Sequence, residues 1–128
     1  MDCTMYDTDR LELLGLEVAC VIGDLPEERG REQRLLIDVS LACDLAVAGA
    51  SDALCDTVDY AALAAAIRSE LRAARCQMIE RAAECVARVC LDDPRVRSVR
   101  VRVEKQGAVP GLRAAAVTVT RQRGGGPA

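Results

Sequence analysis

From Val99 to Glu104 the chain reads Val-Arg-Val-Arg-Val-Glu, with apolar and charged residues alternating at every step. A helix would wind those valines round all sides of its axis. A strand gathers Val99, Val101 and Val103 on one face and Arg100, Arg102 and Glu104 on the other, so the segment reads as a half-buried strand. The same period returns in residues 34–45, where Leu36, Asp38 and Ser40 oppose Ile37, Val39 and Leu41. It appears again in the Ala/Val/Thr run that ends at Arg121. Residues 9–21 alternate only in part and are read as a further strand. Gly23, Pro26 and Gly30 then interrupt any regular element and mark a turn.

The middle of the chain changes period. After a connection of small residues, Asp59 is placed as a helix N-cap. Leu63, Ile67 and Leu71 follow at helical spacing in an alanine-dense stretch. A second helix is predicted from Met78 to Leu91, with Ile79, Ala83, Val86 and Cys90 on one face and Asp92-Asp93-Pro94 as its stop. The order ββααββ predicts an α+β fold: a four-stranded antiparallel sheet with two helices on one face. One domain is expected over residues 1–121, followed by a flexible tail over 122–128. Two sheet edges stay open, and the outward strand faces read as less polar than a lone monomer prefers. Edge-to-edge assembly of several copies into a closed barrel is therefore expected.

Half the residues are apolar, yet Phe and Trp are absent and the only tyrosines are Tyr6 and Tyr60, so Ala, Val, Leu, Ile and Cys must build the core. Lys+Arg 17 against Asp+Glu 20, with both signs scattered, offers no patch for a polyanion, and aromatics for stacking bases are missing. No nucleic-acid partner is expected. The polar start MDCTMYDTDR lacks a signal-peptide core and no apolar run reaches bilayer length, so a cytoplasmic protein without a membrane role is expected. Seven cysteines without a C-x-x-C pair read as reduced thiols, Cys85 and Cys90 among them as small core residues.

There is no histidine. That removes Ser-His-Asp and Cys-His catalysis and argues against a catalytic zinc, so no metal is expected. Cys55, beside Asp56, has no basic neighbour in sequence to favour its thiolate and reads as an ordinary thiol. Lysine, tyrosine and carboxylates remain. Lys105 is the only lysine in a chain that otherwise uses arginine, and it stands at a strand end before a Gly/Pro loop. Lysine can exchange a proton where arginine cannot, which makes it the acid/base candidate. Tyr60 at the start of the first helix is either a packing residue or a phenol aimed at a ligand. Glu80 opens the second helix, where the helix dipole alone favours an acid. Glu27 and Glu28 in the turn would ordinarily be solvated charges.

Four segments in order, VIGDLPEERGREQRLLIDVSL, SDALCDTVDYAAL, IERAAE and VRVEKQGAVPG, resemble the dihydroneopterin aldolase family across residues 9–121. The resemblance implies a tunnelling fold whose ββααββ subunits join edge to edge into a homo-tetrameric barrel, often paired into an octamer. It implies a pterin site between subunits, with Glu80 and the backbone N–H of Ile79 holding the ring, and Val58, Asp59 and Tyr60 reaching in from the neighbour. Glu28 corresponds to the family's turn glutamate and Lys105 to its catalytic lysine, with Tyr60 handling a later proton. The implied reaction is retro-aldol cleavage of 7,8-dihydroneopterin, without metal, Schiff base or cofactor, with 2′-epimerisation as a possible side reaction. Gln106 where proline is frequent, and Ile22-Gly23-Asp24 where His or Tyr often stands, bear on loop shape and side-chain recognition. Two rivals share the fold. A dihydroneopterin triphosphate 2′-epimerase would need a basic lining, for which Arg29, Arg31 and Arg113 are candidates. A non-catalytic pterin-binding oligomer would be expected to lack Lys105, Tyr60 or Glu28.

Overall fold

The computed structural model describes residues 9–124. Four strands, β1 (Arg10–Val21), β2 (Glu32–Ala42), β3 (Ser98–Gln106) and β4 (Ala114–Gln122), form one antiparallel sheet in the order β1-β2-β3-β4. Between β2 and β3 come α1 (Ala46–Ser51), a 3₁₀ turn at Leu54–Asp56, α2 (Tyr60–Ala74) and α3 (Ile79–Leu91). The expected ββααββ order holds, with α1 added. Sequence reading took α1 for a plain connection. It is six residues long, contains Gly49, has no side-chain cap and buries nothing, so it carries none of the usual helix signals.

The partial alternation of β1 has a local cause. Its register against β2 shifts between Leu13 and Leu16, where Gly15 takes φ +70° and donates its N–H to Asp38 Oδ1 at 2.7 Å. The bulge resets the phase, so Leu11 and Leu13 before it and Leu16, Val18 and Cys20 after it all face the helices. Opposite them, Leu35, Ile37, Val39 and Leu41 of β2 and Val99, Val101 and Val103 of β3 are fully buried. Each such side chain contributes roughly 1.5–3 kcal/mol of burial.

The helices close this face, α2 over β1 and α3 over β3 and β4. Leu63, Ile67 and Leu71 turn α2 inward, while Ala82, Ala83 and Ala87 let α3 approach closely. Asp59 caps α2 as expected, its Oδ1 accepting from the N–H groups of Ala61 and Ala62 at 3.1 Å each. The other sheet face is more polar than the sequence suggested. Arg10, Glu12, Asp38, Ser40, Arg100, Arg102 and Thr118 share it, since the residues between the buried valines are charged. Both β1 and β4 remain paired on one side only.

β4 runs through Gln122, and the Arg123 guanidinium donates to the carbonyls of Val96 at 2.9 Å and Asp93 at 2.6 Å, so this part of the expected tail is tied down. The polar start, Cys3 and the tail from residue 125 lie outside the described residues. Among the described residues no helix is long and apolar enough to cross a membrane.

Candidate active site

Lys105 ends the buried valine row of β3, paired across the sheet with Leu35 and Ala115. Its ammonium meets the turn between β1 and β2, where Nζ donates to Glu28 Oε2 at 2.7 Å. Glu28 is 8% exposed, far from the solvated charge a turn glutamate ordinarily is. Oε2 also accepts from Gln33 Nε2 at 3.1 Å, and Oε1 from the Leu25 N–H at 3.3 Å. The bond from Lys105, then that from Gln33, hold the Glu28 carboxyl down at about 2, against the opposing effect of burial. It is therefore an anion at any working pH, and it fixes the lysine on which it bears.

Three further residues build this pair: Gln33, which sequence reading did not single out, and Gly23 and Arg29, read there as a turn glycine and a candidate phosphate ligand. Gln33 donates to the Ile22 carbonyl at 2.7 Å as well as to Glu28, locking the carboxylate to the end of β1. It sits in phase with buried Leu35 and Ile37, and an amide on the inward-facing phase of the strand was the available signal. Gly23 has φ +124°, and a Cβ there would lie 2.3 Å from the Glu28 carboxylate, so only glycine leaves that carboxylate its place. Arg29 donates to the carbonyls of Gly23 at 2.8 Å, Cys76 at 3.1 Å and Arg75 at 2.7 Å, joining the turn to the α2–α3 junction.

That junction leads into the candidate ring-binding residues. α2 ends at Arg75 in the left-handed region (φ +48°), and α3 begins at Ile79 after Met78, which supplies no side-chain cap. The first N–H groups of α3 thus have no intrahelical partner, and exposed Glu80 stands beside them. An acceptor carboxylate next to free N–H donors suits a heterocycle edge carrying both N–H groups and a ring acceptor.

Val58, Asp59 and Tyr60 lie at the other end of α2, about 22 Å away along a helix of this length. Val58 is buried and Asp59 is engaged as the N-cap. Tyr60 is 62% exposed and lines a hollow of about 690 Å³ against β1 between Leu11 and Glu17. One chain thus brings Lys105, Glu28, Ile79 and Glu80 to one end, and leaves Tyr60 at the opposite end beside a free sheet edge.

The remaining candidates resolve simply. Arg29, offered as a triphosphate ligand, is spent on backbone carbonyls, and Arg113 pairs with buried Glu104 at 3.2 Å, so two of the three arginines that the epimerase reading used already have partners within the chain. Cys55 is exposed, 4.0 Å from Asp56 Oδ1. Cys85 and Cys90 are buried as expected, and burial pushes the Cys90 thiol up to about 12, leaving it inert as a nucleophile.

The dihydroneopterin aldolase family model matches residues 11–122. A dihydroneopterin aldolase of Methylorubrum extorquens is 38% identical over 118 residues, 90% of this chain and 91% of that protein. The crystal structure of Escherichia coli dihydroneopterin aldolase in complex with neopterin superposes with a TM-score of 0.84 at 32% identity, covering 89% of this chain and 99% of that one. A Burkholderia dihydroneopterin aldolase bound to guanine gives 0.77 at 31% identity, covering 92% and 93%. With matches this extensive in both sequence and fold, the chain belongs to the dihydroneopterin aldolase family.

Proposed function

We propose that the chain cleaves 7,8-dihydroneopterin by a retro-aldol reaction to 6-hydroxymethyl-7,8-dihydropterin and glycolaldehyde, a step of folate biosynthesis. The observation that carries this reading is the Lys105–Glu28 pair, with its carboxylate buried and its lysine largely shielded, at the same end of the fold as Glu80 and the uncapped start of α3. The pterin's amino and ring N–H groups bind Glu80, and the backbone N–H of Ile79 meets a ring acceptor. A proton leaves the 2′-hydroxyl, the C1′–C2′ bond breaks, and its electrons enter the conjugated C6=N5 bond as N5 is protonated. Glycolaldehyde leaves. The resulting enamine takes a proton at C1′ and loses the one on N5, restoring the imine. Because the substrate supplies its own electron sink, the chemistry asks only for positioned acid/base groups. Lys105 moves the first protons through ordered water, oriented by Glu28, and Tyr60 handles the proton at C1′.

Tyr60 cannot reach Lys105 within one chain, so the site is completed by a second copy bringing its α2 start alongside. Homo-tetramers or octamers joined through the free β1 and β4 edges meet this need and cover the exposed edges. The working compartment is the cytoplasm, where reduced cysteines persist. A glycolaldehyde-release assay with 7,8-dihydroneopterin tests the reaction, and absence of aldehyde would end it. Light scattering tests the assembly; a monomeric mass in an active preparation would remove the shared site.

Two variants divide the roles. Glu80→Gln should raise the dissociation constant for neopterin by about 10–100-fold, in keeping with the roughly 1.5–3 kcal/mol of a charge-assisted hydrogen bond. An unchanged constant by fluorescence titration would contradict the ring-anchor role. Tyr60→Phe should slow formation of the hydroxymethyl product by about 10²-fold or more while binding stays within a few-fold. Equal losses in rate and binding would instead mark Tyr60 as a packing residue.

A further inference from the structure

Arg29 lies in the turn that carries Glu28, yet its guanidinium bonds to neither the Glu28 nor the Glu80 carboxylate. It spans three backbone carbonyls instead: Gly23 on the side of the Lys105–Glu28 pair, and Arg75 and Cys76 on the side of α3. The connection is reciprocal, since Arg75 donates back to the Arg29 carbonyl at 3.0 Å and the Gly23 N–H donates to Cys76 at 3.2 Å. The accepting carbonyls at Arg75 and Cys76 follow the end of α2, where the helix dipole favours a cation. The planar fork serves them from two nitrogens, Nη1 to Gly23 and Cys76 and Nη2 to Arg75, whereas a lysine ammonium would have to direct all its donors from a single nitrogen.

Cys76 is three residues before Ile79 and Gly23 is the glycine packed on the Glu28 carboxylate, so Arg29 fixes the spacing between two halves of the site. We infer that Arg29 is a positioning residue that sets the ring-binding start of α3 at the reacting distance from Lys105; the inference rests on the aldolase reading given above. It makes no hydrogen bond to the ring-binding carboxylate or to the proton carrier. Its loss therefore leaves each half intact and loosens their alignment, and a misplacement of about 1 Å can cost about 10²-fold in rate.

The test starts with the wild-type oligomer, assayed for glycolaldehyde release from 7,8-dihydroneopterin and for neopterin affinity by fluorescence titration. Arg29→Ala and Arg29→Met should lower kcat by about 10–100-fold with the neopterin dissociation constant within about 3-fold, a kcat-specific loss. Arg29→Lys, the variant to rely on if the others fail to fold, should fall between them and wild type with the same split. Guanidinium ion, well below denaturing concentration, should restore several-fold of the lost kcat to Arg29→Ala, and methylammonium should not. A purely structural arginine would give a lower melting temperature with unchanged kcat per folded site, and that result overturns the inference. Parallel losses in kcat and affinity, or no response to guanidinium, overturn it as well. A wild-type protein that binds neopterin but releases no aldehyde defeats the aldolase reading itself, before any variant is compared.

Discussion

Lys105→Ala is expected to reduce glycolaldehyde release by about 10³-fold or more while neopterin still binds within a few-fold. A single positioned acid/base group is worth about 10²–10⁴-fold, and Lys105 is asked to serve more than one transfer. The ring contacts assigned to Glu80 and Ile79 do not pass through it, which is why binding should survive. Lys105→Arg makes the sharper comparison. It keeps a cation beside Glu28 but cannot give up a proton at working pH, so it should fold, bind and remain inactive. Turnover in Lys105→Arg near the wild-type rate would reduce Lys105 to an electrostatic group.

The same pair sets an acid limit on stability. The Glu28 carboxyl is held at about 2 in the fold, below the roughly 4.3 of a free glutamate. Its contribution is thus fully present above the unfolded value and is lost as pH falls from about 4.3 toward 2. Lys105 is the largest cause of that depression, so Lys105→Ala should show a shallower loss of urea midpoint over this window than wild type. Equal slopes would mean that the pair adds no pH-dependent stability.

Much of this was legible in the chain because burial imposes a period on it. The valine row of β3 and the Leu63, Ile67, Leu71 row of α2 are one-dimensional records of a buried face, and Asp59 is a short acceptor side chain just ahead of the helical row. The sole lysine stood out by composition alone. The phase break in β1 became readable only with its bulge, since a one-residue insertion mimics weak patterning. The burial of Glu28 was beyond local sequence. Its partners Lys105 and Gln33 lie 77 and 5 residues away, and its ceiling is a glycine whose significance is the absence of an atom. Arg29 was misjudged for a related reason: an arginine that serves backbone carbonyls looks, in sequence, like one waiting for a phosphate.

Gly23→Ala should be nearly as damaging as removing the lysine, although it adds one methyl group to a turn. The new Cβ would lie 2.3 Å from the Glu28 carboxylate carbon and Oε1 and 2.5 Å from Oε2, well inside contact distance. The carboxylate cannot swing clear without breaking its bonds to Lys105, Gln33 and the Leu25 N–H. The backbone at φ +124° adds a strain of about 1–3 kcal/mol for any residue with a side chain. Turnover should fall by about 10²-fold or more as the lysine loses its fixed partner. The unfolding free energy should drop by more than the backbone strain alone. A double-mutant cycle with Glu28→Ala separates the two effects. Deleting the carboxylate removes the collision but not the strained φ, so Gly23→Ala should cost less stability in the Glu28→Ala background than in wild type. Additive losses would show that the glycine is required for its backbone conformation alone, and that the close approach to Glu28 plays no part.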